Sequence, residues 1–164
     1  MKNILRIFVI AALVFMVSQV AQANEDTDKI KTEKPHVKTS KVYIVLKAGK
    51  VTNTFMDSYG EKVKERLAKE GINAEYAILS GNLPNAIYQI ALNKGADHIL
   101  YIKQTRQFNI DGKTNVGGFY EVKAFNLGNF VWKDIENNIK MNVQFDKSIN
   151  SANDRIIESF LNKI

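Results

Sequence analysis

His36 and His98 are the only imidazoles in the chain, and there is no cysteine. Metal coordination and nucleophilic catalysis draw first on these residue types. Two imidazoles so far apart do not form a metal pair by spacing. Without a thiol, zinc fingers, Fe–S clusters, disulfide frameworks and thiol nucleophiles are excluded. His98 reads as a hydrogen-bonded residue at the start of a core strand, and His36 as part of a polar leader.

The other chemical candidates fail on spacing. Ser80-Gly81 lacks the preceding glycine of a nucleophile elbow. Gly49-Lys50-Val51-Thr52 matches a phosphate loop only in its last residues. Tyr43 and Lys47 have a spacing used by some reductases, but on a strand roughly 13 Å of extended chain would separate them. Asp57, Glu61, Glu65 and Glu70 fall at helical intervals beside Lys and Arg, the pattern of a solvated, salt-bridged face. The sequence therefore predicts neither enzyme nor metal site, and no cofactor.

Binding has two candidate surfaces. In the first, from Lys103 to Asn115, the cations Lys103, Arg106 and Lys113 surround Phe108 and Ile110. Such a tip suits a protein partner or an anionic polymer. The second is a crevice at the carboxyl ends of the first and third strands, lined by Lys47, Ala48, Gly49 and Lys50 and by Ser80, Gly81 and Asn82. Open parallel sheets bind small ligands at such switch points.

The elements that position these residues follow from hydrophobic period. Val42 to Leu46 is apolar on both parities, as in a strand covered on both faces. Phe55, Tyr59, Val63 and Leu67, with Met56, mark one face of a helix that Gly71 stops. Ala74 to Leu79 is a second strand. Pro84 opens a second helix with Leu83, Ile87, Ile90 and Ala91 on its buried face, ended by Gly95. His98 to Ile102 is a third strand, again apolar on both parities. Two crossovers in this order imply a parallel core.

An antiparallel meander follows. Asp111-Gly112 suits a type I′ hairpin turn and Gly128-Asn129 a type II′ turn. Placing Leu127 opposite Phe130 pairs Phe125 with Trp132, Lys123 with Asp134 and Val122 with Ile135, but sets Glu121 against Glu136. Trp132 and Phe125 are expected under a helix. Ser148 or Ser151 caps a last helix whose stripe is Ile149, Ala152, Ile156, Phe160 and Ile164, widened by Ile157 and Leu161. The fold class is α/β: three layers, βαβαβββα, a five-stranded mixed sheet of order 2-1-3-4-5 with only the fourth strand reversed.

The chain has 164 residues, 45% of them hydrophobic, and 23 Lys plus Arg against 17 Asp plus Glu. Lys2 and Arg6, the apolar run Ile7 to Val17, and Ala21-Gln22-Ala23 form a secretory signal over residues 1–23. Its apolar run is shorter than the ~20 residues a membrane span needs, so no span is expected after cleavage. Removing it leaves 21 basic and 17 acidic residues, net +4, too mild and too dispersed for a nucleic-acid footprint. Residues 24–40 contain only two large apolar residues, Ile30 and Val37, and read as a flexible leader. Residues 41–164 form one α/β domain.

Phe119-Tyr120-Glu121-Val122-Lys123-Ala124-Phe125-Asn126, then Gly128-Asn129, Val131-Trp132-Lys133 and a capped amphipathic helix, resembles the ending of small bacterial envelope domains. These are the amino-terminal domain of the Tol translocation propeller protein, the curli secretion lipoprotein, and the lipoprotein activators of penicillin-binding proteins. Gly95-Ala96-Asp97 is similar to their lead-in to the third strand. The resemblance covers about residues 41–163. It implies a three-layer sheet like an anticodon-binding domain and a non-catalytic role in holding or recruiting envelope proteins; the secretory signal sets the expected address as the periplasm or the medium. Relatives of this kind carry a lipid-modified cysteine or a propeller. This chain has neither, which argues against outer-membrane anchoring and pore formation.

Overall fold

The computed structural model describes residues 39–47, 49, 53–109 and 117–164. The signal sequence, most of the leader, Lys50, Ile110, Lys113 and the Asp111-Gly112 turn lie outside the described residues. The element order is β1 (Lys41–Lys47), α1 (Asn53–Lys69), β2 (Asn73–Leu79), α2 (Ala86–Asn93), β3 (His98–Phe108), β4 (Gly117–Asn126), β5 (Val131–Asn142) and α3 (Asp146–Lys163). The sheet order is β2-β1-β3-β4-β5. β1 is parallel to β2 and β3, while β4 runs antiparallel to both β3 and β5.

Continuous apolar runs place β1 and β3 at the centre. Val42, Ile44, Leu46, Leu100 and Ile102 face one side with Tyr120, Val122, Ala124, Ile135, Ile139 and Met141, under α1 and α3. Met56, Tyr59, Val63 and Leu67 of α1 are fully buried there, and the three aliphatic side chains Met56, Val63 and Leu67 each stabilise the fold by ~1.5–3 kcal/mol relative to exposure. Tyr43, Val45, Ile99, Tyr101, Phe125 and Leu127 face the other side with Ile87 and Ala91 of α2.

The two faces are covered unequally. α1 and α3 are 17 and 18 residues long, but α2 has only eight. With strands ~4.8 Å apart and a helix ~10 Å wide, one helix shields about two strands. α2 packs on the same side as β1 and β3, and its Tyr88 reaches β4, the ring standing edge-on to Phe125 at 4.9 Å. Among the described residues, no helix lies on the same face of β4 and β5. Trp132, expected under a helix, is 37% exposed, and Ile90, assigned to the buried side of α2, is 41% exposed.

Both α1 and α2 stop at a glycine with positive φ, Gly71 at 75° and Gly95 at 72°. In each, two amides return to the last turn: Gly71 N to Ala68 O and Ile72 N to Leu67 O, then Gly95 N to Leu92 O and Ala96 N to Ala91 O. These bonds satisfy carbonyls the helix itself leaves open. α3 starts earlier than the serines suggest. Phe145 occupies its N-cap position without a side-chain hydrogen bond, and Ser148 Oγ instead accepts from Asn142 N at 3.0 Å.

The β4–β5 register agrees with expectation near the turn, where Phe125 faces Trp132 and Lys123 faces Asp134. Beyond it, Val122 faces Glu136, not Ile135. Bulges in β5 separate Glu121 from Glu136, so the like-charge pair never forms. The turn is also longer than a two-residue type II′ loop. Phe130, not Gly128, takes the left-handed conformation at φ 57°, and Phe130 N donates to Asn126 O.

Candidate functional site

The uncovered face is built by alternate residues of β3, β4 and β5. On β3, a bulge at Thr105 shifts the register so that Arg106 faces Phe119, and Thr105 Oγ1 donates to Phe119 O. The guanidinium lies 4.5 Å from the Phe119 ring centroid. Phe108 meets Phe119 edge-on at 5.9 Å, and Lys140 Nζ stands 5.0 Å over Phe108. Two aromatic rings and two cations thus form one cluster at the distal end of the sheet. Arg106 also reaches Asn138 Oδ1 at 3.5 Å.

Nearer the middle of the face the charges are paired. Lys103 Nζ lies 3.1 Å from Glu121, and Lys123 Nζ 3.4 Å from Asp134. Beside them Trp132 is held between Tyr101 at 6.3 Å and Phe125 at 5.0 Å. Leu83, Tyr101, Glu121, Lys123, Trp132 and Asp134 line a shallow cavity of about 420 Å³.

Of the tip residues read from sequence, Lys103, Arg106 and Phe108 share this face, with Lys103 set apart in its ion pair. Phe119 and Lys140 are not among the expected binding residues, and Trp132, expected under a helix, is exposed here instead. The usable signals were the shortness of α2, too small to cover five strands, and the consecutive apolar residues Phe130, Val131 and Trp132 after a turn.

The crevice residues are split. Lys47 Nζ contacts Asn82 Oδ1 at 3.4 Å, bringing those two together, and Ser80 is exposed beside them. Gly49 instead presses on Gln104, where any Cβ would collide with the side-chain amide. Gln104 is buried, and neither of its amide atoms has a hydrogen-bond partner; the hydroxyls of Tyr59 and Tyr120 are also unpartnered. These two rings lie 6.4 Å apart, and Gln104 faces Tyr120 across the ladder. Burial pushes both phenols well above their ordinary pKa.

At the opposite end of the sheet, the Gly95-Ala96-Asp97 motif has a structural role. Asp97 Oδ2 accepts from Ser40 N at 2.7 Å, Ser40 Oγ at 3.0 Å and Lys41 N at 3.0 Å. Burial raises its pKa, but these donors outweigh it and hold the carboxyl below the usual range. Ser40, assigned to the leader, is thereby fastened to the sheet. Among the described residues no group of three His, Asp or Glu is placed to hold a metal ion, and no helix is long and apolar enough to cross a membrane.

No family model matches the chain, and no curated protein does. A solved structure does share its fold. A point variant of PelC, a dodecamer from Paraburkholderia phytofirmans, superposes with a TM-score of 0.50 at 13% identity, covering 75% of this chain and 88% of that one. A lipoprotein from Neisseria meningitidis gives 0.43 at 10% identity, over 76% and 99%. TolB from Acinetobacter baumannii gives 0.42 at 14% identity, over 74% and 28%. These neighbours are envelope-related proteins. At 13% identity the PelC likeness concerns the fold alone, and the two lower scores carry no argument.

Proposed function

We propose that this chain is an exported, non-enzymatic domain of the cell envelope that acts by protein contact, as an assembly or recruitment factor allied to the envelope domains its ending resembles. The observation that carries the reading is the distal cluster of Arg106, Phe108, Phe119 and Lys140, on a sheet face that no helix among the described residues covers. Cations lying over aromatic rings offer apolar area and charge together, the combination found in binding hot spots. Their sign favours a partner that presents carboxylates beside apolar side chains. PelC is a dodecamer, so a second copy of this chain is among the partners to be tested.

A photo-crosslinking residue at position 106 or 140 should give one discrete adduct in intact cells, and none from positions 65 or 69 on exposed α1. Arg106→Glu combined with Lys140→Glu should abolish capture of that partner. Sedimentation of the purified chain separates self-contact from contact with another protein. Equal labelling from both faces, or no adduct at all, defeats the reading.

A second reading, a small-ligand module at the carboxyl ends of β1 and β3, is favoured by the unpartnered Gln104, Tyr59 and Tyr120. Polar groups buried without partners are costly, and an uncharged ligand could satisfy them. Thermal stabilisation by a periplasmic metabolite, lost in Gln104→Met, would support it.

A further inference from the structure

The cavity around Trp132 differs from the distal cluster in one physical respect: its charges cancel. Two cations and two anions stand in pairs, Lys103 with Glu121 and Lys123 with Asp134. They frame an aromatic floor formed by Tyr101 and Trp132, whose rings meet at 69°. Leu83, in the loop before α2, forms an apolar lip. The geometry points to a binding site for an uncharged glycan chain, with one pyranose ring laid on Trp132 and its hydroxyls bonded to the two ion pairs.

Three observations select this ligand chemistry. An anionic polymer needs uncompensated cations, and here each lysine is already matched by a carboxylate. The apolar centre of a protein interface is depleted in charged residues, whereas here ionic groups directly border the exposed ring. Those groups also remain open to solvent, Asp134 being 67% and Lys123 39% exposed at the side chain. A sugar suits both features. Its C–H face is weakly positive and matches the negative face of the indole, and its hydroxyls both donate and accept, replacing water around ammonium and carboxylate.

The ring is also preorganised. Trp132 is held by Phe125 on one side and Tyr101 on the other, so little side-chain freedom remains to be lost on binding. The cavity, at about 420 Å³, lies within the range of small-ligand sites.

The test uses the only tryptophan in the chain, so its fluorescence reports on this site alone. Cellohexaose and the hexamer of N-acetylglucosamine, titrated into the purified protein, should give a saturable change in emission with at least one of them. Lys123→Ala combined with Asp134→Ala should weaken binding about tenfold or more, while Lys69→Glu on α1 should leave it unchanged. Added salt should have little effect, because no net charge is neutralised. The inference is overturned if neither oligosaccharide alters the emission. It also fails if dextran sulfate gives the same change and salt abolishes it, or if only a captured protein perturbs Trp132. A sugar response without any crosslink from position 106 or 140 would defeat the protein-contact reading and leave this site standing. The converse result would do the opposite.

Discussion

Asn126 Nδ2 lies 3.0 Å from His98 Nε2, and the orientation of that carboxamide is fixed elsewhere. Its Oδ1 accepts from the amides of Gly128 at 2.8 Å and Asn129 at 3.1 Å, so its nitrogen must donate to the imidazole. Nε2 of His98 is then an acceptor and carries no proton. On the other side of the ring, Nδ1 lies 3.5 Å from Thr39 Oγ1. The β4–β5 turn, the start of β3 and the residue preceding β1 by two are thus joined through one neutral histidine.

That neutrality predicts a pH dependence. Burial lowers the pKa of His98, Asp97 opposes the shift, and Lys133 adds to it. The unfolded chain, with an ordinary value near 6.5, binds the proton more readily than the folded one. Stability therefore rises with pH. The contribution of His98 is complete above about 6.5 and is lost as pH falls toward the folded-state value. Urea unfolding between about pH 5 and 8 should show this slope, and His98→Gln should flatten it. An unchanged slope in the variant would mean that other groups cause it.

Asp97 predicts a stability effect without a functional one. Its carboxylate gathers three donors from Ser40 and Lys41, but the site is exposed, so water replaces part of what is lost. Asp97→Ala should cost ~1–2 kcal/mol in urea unfolding and leave Trp132 emission unaltered. A loss below ~0.3 kcal/mol would leave the motif without a structural account.

The buried hydroxyl of Tyr59 predicts the opposite sign. Tyr59 Oη is fully enclosed and unpartnered, so it is desolvated without compensation. Tyr59→Phe should raise stability by ~1 kcal/mol and the midpoint of thermal unfolding with it. A loss would show that the hydroxyl has a partner, such as an ordered water shared with Tyr120 and Gln104.

How much was legible in the sequence depended on what each feature is made of. Strand order followed from β1 and β3 being apolar on both parities, a pattern local in sequence. The pairing of Phe125 with Trp132 followed from its nearness to the turn. Farther out, the ladder is set by bulges in β5, one of them near Asn138, where φ is 57°. No residue type announces such a bulge, although the Glu121–Glu136 clash hinted that the regular register could not continue. The turn departs from a two-residue loop centred on Gly128 because the side chain of Asn126 organises it by accepting from the amides of Gly128 and Asn129. The distal cluster was half visible. Arg106 and Phe108 are close in sequence, but Phe119 and Lys140 join them through cross-strand register, and Trp132 lies beyond the reach of the eight-residue α2.

Gly118 tests whether the packing around Gln104 is as tight as it stands. A Cβ there would collide with Gln104 Nε2 and lie 2.7 Å from the carbonyl of Arg106. The amide could move aside, but the Arg106 carbonyl belongs to a ladder bonded on that side to β4, so the backbone would have to shift. Gly118→Ala should cost ~1–3 kcal/mol and weaken partner capture through Arg106, whose position over Phe119 depends on the same ladder. Gly81→Ala is the control: nothing lies within 4 Å of its Cβ position, and its stability should change by less than ~0.5 kcal/mol. If the two variants unfold at the same urea concentration, the close approach of β4 to Gln104 is wrong, and the proposed route from that packing to the distal cluster is wrong with it.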